Sequence, residues 1–192
     1  MSDFWLYVTL GFEHVLDWNA YDHTLFIVAL CASHTYKSWK RMLIHVTFFT
    51  LGHSLSLVLA TYDILKLDSE WIEFFIPITI IVTALVTLVF AFRKALTKID
   101  VAFTIITFFF GIIHGFGFAG YFTMINEGNL MLHLLEFALG IELAQVIIAT
   151  AVVFLGYLFQ KLSGLRRNYW AVGLSLLVLA LSIPMLYANW IF

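Results

Sequence analysis

Long apolar runs separated by short polar segments set the pattern of this chain. The runs cover residues 20–35, 39–62, 72–92, 101–122, 130–160 and 169–190. The breaks carry turn or charge signals: Lys37 to Arg41, Asp63 to Glu70, Arg93 to Asp100, Asn126 to Asn129, and Lys161 to Asn168. A helix of about 20 apolar residues crosses the hydrocarbon of a bilayer. A segment in hydrocarbon must also satisfy its own backbone hydrogen bonds, which a helix does. The pattern therefore predicts an all-α, polytopic membrane helical bundle. It has six full spans over residues 20–190, in a single transmembrane domain covering residues 1–192.

Two stretches depart from the simple pattern. Phe4 to Phe12 is apolar, but Glu13, His14 and Asp17 follow at once. Residues 1–18 are thus too short to span comfortably, and a short N-terminal interfacial or re-entrant helix on the outer face is expected. The alternative is a partial seventh span. The next run is uninterrupted only from Leu25, so Asp22 and His23 must sit at the outer end of the bundle, facing protein or a wet cavity. A lipid-facing Asp would cost several kcal/mol.

Composition agrees with the pattern. Of the 192 residues, 62% are hydrophobic and 11% charged, against about 25% charged in soluble domains. The formal charge of −2 and the lack of a basic stripe exclude a nucleic-acid partner. The lone Cys31 excludes an internal disulfide and a Cys-rich metal site. Met1-Ser2-Asp3 runs directly into apolar sequence, which predicts no cleaved signal peptide. Nine of the ten Lys and Arg residues fall in three alternate loops, and only Lys66 lies elsewhere. The positive-inside rule makes those loops cytoplasmic and places the C-terminus outside. Every Lys lies in a loop or at a helix end, so a Schiff-base pigment is excluded.

Ionisable residues within spans are expensive and mark function. Four motifs hold most of them: Gly11-Phe-Glu-His14 to Tyr21-Asp22-His23, Phe49-Thr-Leu-Gly-His53-Ser54, Gly111-Ile-Ile-His114-Gly115-Phe-Gly117-Phe, and Glu136-Phe-Ala-Leu-Gly140-Ile-Glu142-Leu-Ala-Gln145. Their depths can be compared along the helix axis. His53 lies ~13 Å, His114 ~12 Å and Glu142 ~18 Å below the outer end of its span. Nitrogen and oxygen ligands from four segments therefore share the outer half of the membrane. Imidazole and carboxylate suit Ni, Zn, Fe or Cu, and no thiolate accompanies them. A ligand His needs an acceptor for its other nitrogen. Asp17, Asp22, Thr50, Ser54 and Gln145 are the candidates. Gly111, Gly115 and Gly117 form a small-residue face that lets a neighbouring helix approach His114. A lone intramembrane His is often only bonded to a backbone carbonyl, and His34 and His45 read as solvent or packing residues. His133, at i, i+3 from Glu136, reads as a mouth site or as an interface contact. Glu73 is expected at the solvated outer rim, and Pro77 in the first turns of its span or at a kink.

These motifs together resemble the HupE/UreJ family of small bacterial membrane proteins. The matching pieces run in the family's order from Gly11 to Gln145. Two extra residues before Asp22-His23, with Asp17 among them, and Phe137-Ala138 ahead of Gly140 mark a divergent branch. The resemblance implies a bacterial inner-membrane location and handling of nickel or another transition metal. It implies His14, Asp22, His23, His53, His114 and Glu142 as metal contacts. Transport is then the first functional expectation. A metal-dependent enzyme that activates water, with Glu142 or Asp22 as base, is the second, because the cytoplasmic half offers few polar residues for a conduit. A metal sensor or accessory protein is the third.

Overall fold

The computed structural model describes residues 3–18, 20–92, 100–126 and 128–191. Seven α-helices are present among them: α1 (Asp3–Leu16), α2 (Asp22–Cys31), α3 (Trp39–Thr61), α4 (Ser69–Phe92), α5 (Asp100–Ile125), α6 (Leu130–Ser163) and α7 (Arg167–Ala188). A single 3-10 turn, Tyr36–Ser38, leads into α3. No strand occurs among the described residues. Arg93, Lys94 and Lys98, which entered the charge analysis, lie outside them.

Local chemistry sets the helix ends. The Thr35 and Ser38 side chains form a capping box before α3. The Asn129 side chain accepts from the Leu132 N–H at the start of α6. Gly164 ends α6 in the left-handed region at φ 67°, where a Cβ is strained.

Helices α3 to α7 are long and apolar enough to cross a membrane. The sixth expected span is not among them. Residues 20–35 give only the ten-residue α2, about 15 Å long. Polar residues stop it at both ends: Asp22 and His23 occupy its first turn, and Ser33-His34-Thr35 follow it. The chain thus enters the bundle through two short helices, α1 and α2.

Helix α1 is held against α6 rather than standing apart. A Cβ on Gly11 would lie 2.1 Å from the Phe137 carbonyl oxygen, and one on Gly140 would lie 2.0 Å from that of Val8. The α3–α5 pair is built the same way. A Cβ on Gly111 would lie 2.2 Å from the Phe49 oxygen, and one on Gly115 would lie 2.3 Å from the His53 oxygen. No side chain fits at these crossings. Gly117 does not extend this face, because it turns to Ile76 of α4 instead. Helix α2 packs among α4, α6 and α7. The core between the helices is aromatic and aliphatic, with Phe26, Phe49, Phe122, Phe137, Ile80 and Ile141 fully buried. Pro77 lies in the interior of α4. It has no N–H, so the Glu73 carbonyl lacks its usual helical donor.

Candidate metal centre

The two close helix pairs, together with α2, carry the imidazoles to one place. His14 is near the end of α1, His23 in the first turn of α2, His53 in the middle of α3 and His114 in α5. The His14 ring centre lies 4.6 Å from that of His23 and 5.7 Å from that of His53. The His23 ring lies 5.5 Å from His53 and 5.0 Å from His114. Two ligand groups result, His14–His23–His53 and Asp22–His23–His114, each with ligand atoms within 4.8 Å of one another. His23 belongs to both. His23, His53 and His114 are 2%, 0% and 1% exposed, so all three imidazoles are buried among the helices.

Hydrogen bonds orient part of the cluster. The Asp22 Oδ1 atom accepts from the His23 backbone N–H at 2.8 Å and sits 3.0 Å from His23 Nδ1. The other carboxylate oxygen lies 3.9 Å from His114 Nδ1. His114 Nε2 is 3.1 Å from the Thr79 hydroxyl of α4. What remains is a set of buried ring nitrogens without hydrogen-bond partners: His14 Nε2, His23 Nε2, both nitrogens of His53, and His114 Nδ1. Buried polar atoms are nearly always satisfied in folded proteins. Five orphan nitrogens in one cluster fit a site whose missing partner is a cation of the borderline transition-metal class.

The other sequence candidates divide. Glu142 is not in the cluster. Its carboxylate oxygens accept from Thr47, at 2.6 Å, and from Thr50. Gln145 joins Thr50 at 3.2 Å. Thr50 thus bonds Glu142 and Gln145 bonds Thr50, and no hydrogen bond joins either of them to an imidazole of the cluster. Asp17 lines the mouth of a cavity beside the cluster. Ser54 is half-buried, and the neighbouring hydroxyl, Ser56, bonds the His53 carbonyl at 2.8 Å. His133 is an interface contact: it stacks on Tyr7 of α1 at 4.0 Å and meets Asn126 at 2.8 Å. His34 and His45 pack near each other, ring centres 5.3 Å apart, at the end of the bundle that carries the basic loops.

Sequence reasoning missed Thr79. Its signal was present, because Thr79, Thr83 and Thr87 stand at i, i+4 spacing inside an otherwise apolar span. All three are buried, and Thr83 and Thr87 spend their hydroxyls on carbonyls of Thr79 and Ala29. Only Thr79 also reaches an imidazole.

A cavity of about 830 Å³ opens beside the cluster. His14, Asp22, His23 and His114 form its floor, and Glu13, Asp17 and Glu73 stand on its exposed walls. A carboxylate-lined mouth raises the local concentration of cations.

The family model described as HupE / UreJ protein matches residues 1–192. No curated protein and no solved structure matches the chain.

Proposed function

The chain belongs to the HupE/UreJ family, and from that premise we propose that it binds and passes nickel or another divalent transition metal across the bacterial inner membrane. The metal is cargo. It enters through the carboxylate-lined mouth, on the outer face, and is held by the imidazole cluster in the outer half of the bundle. The observation that carries this reading is the set of orphan ring nitrogens shared among four helices. In the proposed site His14, His23 and His53 bind through nitrogen, and His114 adds a further ligand. Asp22 acts as the acceptor that fixes the His23 ring, so that Nε2 points to the metal, the usual carboxylate–His–metal arrangement. Glu142 is left out of the binding shell.

A specific observation favours a second reading. The cavity of about 830 Å³ is far larger than an ion needs. A metal-dependent enzyme acting on an organic or lipid substrate would use that space, with the imidazoles holding the ion that activates water.

Uptake into proteoliposomes separates the two. The permease reading expects Ni²⁺ or another divalent ion to accumulate inside vesicles containing wild-type protein. It expects the signal to vanish with His23→Ala, the residue common to both ligand groups. Stoichiometric metal that is retained through dialysis while no flux is seen would overturn transport and leave the enzyme reading.

A further inference from the structure

We propose that Thr47, Thr50, Glu142 and Gln145 form a second site, for a small hard monovalent cation, sodium or a proton. It lies in the seam between α3 and α6, apart from the imidazole cluster.

Every polar atom gathered here by hydrogen bonding is an oxygen. Thr47 Oγ1 lies 2.6 Å from Glu142 Oε1. Thr50 Oγ1 meets Glu142 Oε2, lies 3.2 Å from Gln145 Oε1 and 3.3 Å from the Val46 carbonyl. Hard cations take oxygen ligands, whereas the borderline metals favour the nitrogen-rich set one turn away. The formal charge points the same way. One carboxylate balances a monovalent cation and leaves a divalent ion half-compensated.

Two shortages in the network would be met by a cation. The first is of protons. The Thr50 hydroxyl has one hydrogen and faces three acceptor oxygens. Turning the Gln145 amide over would exchange one acceptor for its Nε2 donor, which has no partner now. The carboxylate would still face no positive charge. The second shortage is of countercharge. Glu142 lies some twelve residues into α6, ~18 Å along the helix, and a bare carboxylate there costs several kcal/mol. It makes no ion pair among the described residues. Of the titratable groups on elements packed against α6, His53 and His45 of α3 stand on either side along the helix. Glu13 and His14 belong to α1, Cys31 to α2 and Arg167 to α7. None of these bonds Glu142, whose partners are the two threonines. Glu142 is half-buried and Thr47 exposed at mid-helix, so a membrane-soluble reagent can reach the carboxyl.

The test uses full-length protein in liposomes and two readouts, infrared difference spectroscopy of carboxyl groups and labelling of carboxyls by a hydrophobic carbodiimide. Glu142 is expected to react with the carbodiimide, and Glu142→Gln to remove both the adduct and its infrared band. If sodium is the occupant, Na⁺ but not K⁺ shifts the band and protects against labelling. If a proton is the occupant, both signals follow pH and ignore Na⁺. Thr50→Val is expected to weaken the response roughly tenfold, the value of one hydrogen bond to a charged group. A band lost in Glu142→Gln that responds to neither Na⁺ nor pH would overturn the proposal. So would protection by Ni²⁺ in place of Na⁺. Neither readout depends on metal at the imidazoles, so the two sites stand or fall separately.

Discussion

His23 is the residue on which the cluster depends, because it is the only side chain common to both ligand groups. Loss of any other imidazole leaves one group whole. His23→Ala is therefore expected to abolish metal binding, whereas His114→Ala is expected to leave the His14–His23–His53 group able to bind. Asp22 differs in kind. It holds the His23 ring through Nδ1, so Asp22→Asn is expected to weaken metal affinity about 10–100-fold without removing the site. Calorimetric titration of the three variants with Ni²⁺ checks the ranking. These residues were legible in the sequence for a physical reason. An ionisable group in hydrocarbon is too costly to persist without a role, and the motif glycines beside the imidazoles signalled close approach. Glu142 was legible as an intramembrane carboxylate but not as separate from the imidazoles. A depth estimate fixes position along a helix, not which face meets which neighbour. Its greater depth, ~18 Å against ~12–13 Å for His114 and His53, already amounted to about one helical turn.

At the scale of elements, the site depends on how closely α1 meets α6 and α3 meets α5. Gly140→Leu and Gly111→Leu would drive side chains into backbone carbonyls now about 2 Å from the ideal Cβ position. Overpacking of this sort costs roughly 1–3 kcal/mol and more where backbone must move. Both variants are expected to unfold at markedly lower temperature in detergent. Gly120→Leu and Gly173→Leu, with nothing within 4 Å, are expected to behave as wild type. Equal effects at all four positions would contradict the packing account. The short elements were the least legible. Apolar content alone made residues 20–35 a span, but polar groups at both ends of α2 leave ten helical residues. Beyond α2, His34 gives a pH handle. Burial, aided by the neighbouring His45 and Arg167, pushes it down from 6.5 to about 4. The unfolded chain then takes up a proton that the fold resists. Stability is expected to be constant above about pH 6.5 and to fall between about pH 6.5 and 4. His34→Gln is expected to flatten that fall in a thermal-shift series.

At the scale of the whole molecule, two polar clusters occupy different levels of one bundle. The nitrogen-rich cluster opens toward the carboxylate-lined mouth, and the oxygen-only cluster lies about one turn nearer the basic end. Neither the helix count nor the hydropathy distinguishes these levels. They follow from which residues face each other across the α3–α6 seam and around His23. The central claim is that the imidazole cluster holds a transition metal. It is tested most directly by stripping purified protein with chelator, adding Ni²⁺, removing excess by gel filtration and measuring metal per chain. Wild-type protein is expected to retain the ion stoichiometrically, and folded His23→Ala to retain none. Equal metal in the two proteins, or none in either across the divalent transition ions, would contradict the account.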